Sequence, residues 1–125
     1  VTHSGACNCG AVRFTVTGSL PGPNACHCTQ RSKQSGDFWA SFDLDRSAFI
    51  VTGKPTWYAS SDKLRSRFCG TCGAFLFWDP LRGDKTAVAM GAFNAPTKTQ
   101  IGVHIFTAGK GDYYDIADGL PQNLR

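Results

Sequence analysis

A chain of 125 residues, 42% hydrophobic and 18% charged, can bury one modest core and has the composition of a folded soluble domain. Its formal charge of +4 counts the cysteines as neutral; four thiolates on one Zn²⁺ would leave roughly +2, which is weak support for a nucleic-acid partner. No apolar run approaches the ~18 residues needed to cross a membrane, and the opening VTHSGACNCG lacks a basic-then-apolar leader, so a cytoplasmic protein is expected.

The segment AVRFTVT (Ala11 to Thr17) alternates, with Val12, Phe14 and Val16 on one face and Arg13, Thr15 and Thr17 on the other, which predicts a half-buried strand. SLPGPN follows as a turn-rich loop. FWASFDL alternates again, placing Phe38, Ala40 and Phe42 together. DRSAF reads as one helical turn capped by Asp45, and FIVTGKP as a short strand ending at Gly53. TWYASS and KLRSRF predict further strands, the second setting Leu64, Ser66 and Phe68 against Arg65 and Arg67. GAFLFWD is a dense apolar strand closed by Asp79-Pro80; TAVAMGAF and VHIF follow, and the tail turns near Asp118-Gly119. No segment holds a long 3.6-residue period, and 14 glycines suit frequent turns. The expectation is one mainly β domain spanning 1–125.

The 6 cysteines come as three close pairs: Cys7 and Cys9, Cys26 and Cys28, Cys69 and Cys72. Neighbours this close are poor disulfide partners for each other and good chelating arms, which favours zinc over a disulfide framework. GACNCG and FCGTCGAF read as two halves of one tetrahedral site, each arm against a glycine that permits a tight turn. Cys7, Cys9, Cys69 and Cys72 are thus the candidate ligands of a closed structural Zn²⁺ joining the first strand to the middle of the chain. Buried free thiols are the plainer alternative.

Taken together, GACNCGAVRFTVTG, CHCTQRSKQSG, RFCGTCGAFLF, GAFNAP and HIFTAGKGDYYDIADGLPQ resemble, in order, the motifs of the glutathione-dependent formaldehyde-activating enzyme family, to which centromere protein V-like proteins also belong. The resemblance implies stacked antiparallel sheets of the Mss4-like architecture, zinc-stabilised through the four outer cysteines. It also implies carbon–sulfur lyase chemistry on glutathione-thiol adducts of the S-hydroxymethylglutathione type. In the family, three cysteines of the central motif, usually Cys-His-Cys-x-x-Cys-Arg-Lys-x-Ser-Gly, hold a second zinc. Here Cys26 and Cys28 match, Arg31 stands at the third cysteine, Ser32 replaces the arginine, and Lys33, Ser35 and Gly36 match.

Arginine stays protonated and has no lone pair for a metal. A second zinc on Cys26 and Cys28 is therefore expected to be absent, weak or substoichiometric. If the central motif forms a strand, the two thiols face one way and His27 the other. Cys26 and Cys28 are the candidate reactive groups; Arg31 and Lys33 offer charge for a glutathione carboxylate, with Ser35 beside them, and Phe38 and Trp39 are candidate pocket walls. A solvated Arg31 in a decayed site is the alternative. The candidate partner is glutathione or another small thiol adduct. A non-catalytic, zinc-stabilised domain that holds a thiol ligand or a protein partner is the second functional class. Nucleic-acid association through Arg65, Arg67 and Phe68 is a third and weaker one, since alternating charges usually mark only a strand's wet face.

Overall fold

The computed structural model describes residues 1–125. Ten strands and one short helix follow in the order β1 (Thr2–Ala6), β2 (Arg13–Thr17), β3 (Asn24–Cys26), α1 (Thr29–Ser35), β4 (Trp39–Asp45), β5 (Phe49–Thr52), β6 (Thr56–Ala59), β7 (Leu64–Phe68), β8 (Phe75–Pro80), β9 (Lys85–Ala89) and β10 (Val103–Ile105). They build a three-stranded sheet, β1-β2-β5, and a seven-stranded sheet, β10-β3-β4-β9-β8-β7-β6. Every ladder is antiparallel except β10 on β3, which is parallel because the chain leaves the central strand β9 and crosses past β4 and β3 to reach that edge in the same direction. The fold is mainly β with stacked sheets, as the alternation and the resemblance both imply.

The core lies where the two sheets face each other. Val12, Phe14 and Val16, the apolar half of the alternating β2 segment, are buried. They meet Phe42, Leu44, Leu76, Phe77 and Val88 from the larger sheet. Phe14 packs edge-on against Phe77 and Phe93, with ring centroids 5.4 and 5.3 Å apart, the arrangement that the ring quadrupole favours. The larger sheet is covered on its other face too. There Trp39, Ala87 and Ala89 form a smaller cluster with Phe75 and Trp78.

Several sequence expectations need correction. FWASFDL carries buried residues on both faces: Phe42 and Leu44 enter the main core, Trp39 and Ser41 turn the other way, and Phe38 precedes the strand and remains exposed. The helical turn after β4 is a single 3₁₀ turn, Arg46–Ala48, but the Asp45 side chain does not cap it. That carboxylate instead pairs with Lys85 at 2.9 Å. TAVAMGAF also breaks into β9 and a 3₁₀ turn, Met90–Ala92. The largest change falls on the central motif. Its strand ends at Cys26, and Thr29–Ser35 form a helix too short to show a 3.6-residue period.

Candidate functional site

The two outer cysteine pairs sit in the tight β1–β2 and β7–β8 turns, one from each sheet. In the first, the Cys7 amide donates to Val12 O at 2.9 Å; in the second, the Cys69 amide donates to Ala74 O at 2.9 Å. Both turns are completed by a glycine at φ +82°, Gly10 and Gly73, a conformation that costs other residues energy. The Cys7–Cys9 and Cys9–Cys69 sulfur separations are both 3.7 Å, and all four ligand atoms lie within 4.8 Å of one another. Tetrahedral bonds of about 2.3 Å would set sulfurs about 3.8 Å apart, so the four cysteines can hold a metal ion without rearrangement. Backbone amides of Val12 and Cys72 donate to the Cys7 and Cys69 sulfurs, at 3.3 and 3.4 Å.

The ionisation of these thiols also favours a cation. Amides of Ala74 and Cys9 hold the Cys72 thiol down at about 6. Cys9 is pulled down by the Ala11 amide, yet desolvation and the sulfurs of Cys7, Cys69 and Cys72 push it up to about 11. One thiol ionises at the expense of its neighbour, and only a bound cation lets all four be thiolates together.

The central motif is organised by a change of element. Cys26 ends β3, opposite Trp39 of β4 and Ile105 of β10. Cys28 is extended and serves as the N-cap of α1, its sulfur accepting the Arg31 amide at 3.4 Å. Gly36, at φ +91°, closes the helix and donates to Ser32 O. Arg31 is the one buried residue of α1, only 8% exposed. Its Nη1 donates to the Cys26 sulfur at 3.2 Å, and its guanidinium lies over the rings of Trp78 and Trp39, at 4.3 and 5.2 Å. Arg31 is therefore neither solvated nor on a loop.

Placement separates residues that the sequence had grouped. Lys33 lies two positions along α1 from Arg31, on a different face, and is exposed. The pair does not form one carboxylate clamp. Ser35 bonds backward to Arg31 O and forward to Asp37 O. Ser35, Phe38 and Trp39 line a groove of about 660 Å³ whose opposite wall includes Cys7, Asn8, Gly73 and Ala74 of the two cysteine turns. Cys26, Cys28, Arg31 and Lys33 are not among its lining residues; Trp39 is the partition between groove and guanidinium. A second metal does not fit the central pair, because Arg31 presents protons rather than lone pairs to Cys26.

Sequence reasoning missed a second polar constellation. His27 Nδ1 lies 2.5 Å from the Tyr114 hydroxyl, His27 Nε2 lies 2.9 Å from His104 Nδ1, and His104 Nε2 lies 2.7 Å from Asp118 Oδ2. The proton positions follow from the acid at the end. Asp118, held below its ordinary 3.8 by the His104 hydrogen bond and the Leu120 amide, accepts from His104 Nε2–H. His104 Nδ1 then accepts from His27 Nε2–H, and His27 Nδ1 accepts from the Tyr114 hydroxyl. Burial, reinforced by His104, lowers the basicity of His27. His27 turns its ring to His104 and Tyr114, whereas Cys26 meets Arg31. The partners of His27, 77 and 87 positions away, left no local signal to find them by.

The basic strand β7 is likewise committed internally. Arg67 makes two hydrogen bonds to Asp79, at 2.9 and 3.0 Å, and Arg65 lies 4.1 Å over the Trp57 ring. The Arg67 charge is matched by Asp79, whereas Arg65 has the Trp57 ring but no acidic partner.

Residues 2–109 match the family described as glutathione-dependent formaldehyde-activating enzyme, and the chain belongs to that family, of which centromere protein V-like proteins are related members. Among solved structures, a crystal structure of a Rhodobacter sphaeroides protein, a structural-genomics target, is similar. The two share 19% identity with a TM-score of 0.62, over 78% of this chain and 98% of the other. That likeness concerns the fold. No curated protein matches the chain. Tyr114 and Asp118 lie beyond the family match. No helix is long and apolar enough to cross a membrane.

Proposed function

We propose that this protein is a carbon–sulfur lyase acting on glutathione-thiol adducts, making or breaking the bond in R–S–CH₂–OH to interconvert it with R–SH and an aldehyde. The observation that carries this is the gathering of Cys26, Cys28 and Arg31 behind Trp39, a wall of the main groove, while the fold's own cysteine cluster uses none of them. Family membership supplies the glutathione-related substrate class. In this reading residues 1–125 act as one domain, and zinc occupies the outer four-cysteine cluster as a closed structural ion that takes no part in the chemistry. Phe38 and Trp39 pack against the ligand, Ser35 offers a hydroxyl at the groove, and exposed Lys33 attracts the glutathione carboxylates from outside. Six free thiols suit a reducing compartment such as the cytoplasm.

The test is exchange between glutathione, isotope-labelled formaldehyde and their adduct, followed by NMR with and without the protein. Acceleration that disappears in Cys26→Ser or Cys28→Ser supports the lyase. Glutathione binding without acceleration selects the second reading, a non-catalytic domain that holds a thiol ligand, which the poor fit of a second metal favours. Absence of binding sinks both.

A further inference from the structure

We propose that Arg31 is the resident cation of the Cys26–Cys28 site and receives the ligand's sulfur as a thiolate, in the position where a second metal would otherwise act. This inference rests on the glutathione-adduct chemistry proposed above and names the group that stabilises its charged product.

The first support is an unbalanced charge. The ion pairs of the protein are Arg67–Asp79, Lys85–Asp45 and His104–Asp118, and Arg31 joins none of them. Burial pushes the Cys26 thiol up despite the cation beside it, so Cys26 faces Arg31 as a neutral thiol. Two indole faces offset part of the desolvation of the guanidinium. An unpaired buried cation nevertheless remains costly to the fold, and an arriving anion would remove that cost.

The second support is the pattern of unused donors. Arg31 Nε and Trp78 Nε1 are buried without partners, and Gln34 Oε1 is in the same condition while Gln34 Nε2 donates to Ser66 at 3.2 Å. A flip of the Gln34 amide would turn its unpaired acceptor into a donor. These groups are neighbours: Gln34 lies one helical turn from Arg31, Ser66 pairs with Trp78 across β7 and β8, and Arg31 lies over Trp78. Two of these three unpaired atoms are donors as they stand, and the flip would make the third a donor as well.

The third support distinguishes sulfur from carboxylate. A carboxylate prefers the Nε/Nη2 fork of an arginine, but Nε is sealed away from solvent. Nη1 gives one of its two N–H groups to Cys26, while Nη2, which donates to no protein atom and is not sealed, keeps both of its own. The open side of the guanidinium lies beside a sulfur that it already bonds, a setting that suits a second, weakly hydrated sulfur anion. In the forward step the C–S bond of R–S–CH₂–OH breaks and its electron pair goes to sulfur. The hydroxyl proton passes to water, C=O forms, and R–S⁻ remains against Arg31. The reverse step is attack of that thiolate on the aldehyde carbon.

The test compares reduced glutathione with S-methylglutathione, which keeps both carboxylates and lacks the thiol, by calorimetry on the wild-type protein. With a free thiol of pKa about 8.5, the thiolate fraction rises from about 1% at pH 6.5 to about 50% at pH 8.5, so glutathione should bind roughly fiftyfold tighter at the higher pH. S-methylglutathione should show no such rise, and the complex should carry the ultraviolet absorption of a thiolate. Arg31→Met should abolish the rise and the absorption, and Arg31→Lys should keep most of both. Equal binding of the two ligands with the same pH trend overturns the inference and leaves the proposed function standing, as does a rise that survives Arg31→Met. Binding of neither ligand overturns the proposed function and this inference with it. Because the ligand comparison uses the wild-type chain, a variant that fails to fold does not remove the test.

Discussion

Removing the ion from the four-cysteine cluster should cost the fold about 4 kcal/mol. The cluster bridges turns on the two sheets, and Cys9 and Cys69 are 60 residues apart. A cross-link closing a loop of that length removes about 4 kcal/mol of chain entropy from the unfolded state. Domains of this size are stable by about 5–15 kcal/mol, so the metal-free protein should retain only a reduced margin. The perturbation is exhaustive chelation and, separately, Cys72→Ser. The assay is urea unfolding followed by tryptophan fluorescence, with metal content per chain measured on the same samples. With an m-value of about 2 kcal/mol/M, the midpoint should fall by about 2 M. Since Cys7, Asn8, Gly73 and Ala74 wall the groove, glutathione binding should weaken in parallel. A fall below about 0.5 M, with metal shown to be removed, would refute the view that a metal at the cluster cross-links the two sheets.

The polar chain at the tail predicts two further outcomes. Tyr114→Phe leaves the nearly fully buried His27 Nδ1 without its partner and should destabilise the protein by about 1–3 kcal/mol in the same unfolding assay; a loss below about 0.5 kcal/mol would contradict a buried hydrogen bond between the two side chains. Asp118 has its folded pKa depressed, so its contribution is present above the unfolded value near 3.8 and is lost as pH falls through the lower folded value. Hydrogen exchange at the His104 and Asn123 amides, which bond across β10 and the tail, should therefore change little as pH is lowered to about 4, apart from its intrinsic pH dependence, and lose protection below that; early loss of protection near neutrality would reject the assignment. Asp79→Asn breaks a pair whose side chains are 12% and 4% exposed, and should cost about 3–5 kcal/mol by urea unfolding; a cost below about 1 kcal/mol would show Arg67 to be held by the neighbouring aromatic rings instead.

Local pattern was a good guide where one side of a strand faces the core. Val12, Phe14 and Val16 alternate in sequence and are buried together because the side-chain period of a strand is two. The rule failed for β4, because a strand covered on both faces has no single apolar side, and Phe38 lies outside it altogether. The cysteine turns were legible for a local reason also: a chelating pair and its glycine fit within a few residues, while the packing of the two sheets brings the two arms together. Helix α1 was not legible, since seven residues complete barely two turns and bury only one side chain.

The chain's own order of residues therefore determined the mainly β class, the core half of β2 and the two chelating cysteine arms, because each depends on neighbours in sequence. Tertiary structure decided the rest of the site. Arg31 is an undistinguished polar position until α1 packs onto β4 and β8 and carries its guanidinium between Trp39 and Trp78 to the Cys26 sulfur. His27, His104, Tyr114 and Asp118 become one hydrogen-bonded chain only because β10 pairs with β3 and the tail folds back over both. Burial, pairing and charge balance belong to groups brought together from distant parts of the chain, and no window of sequence contains them.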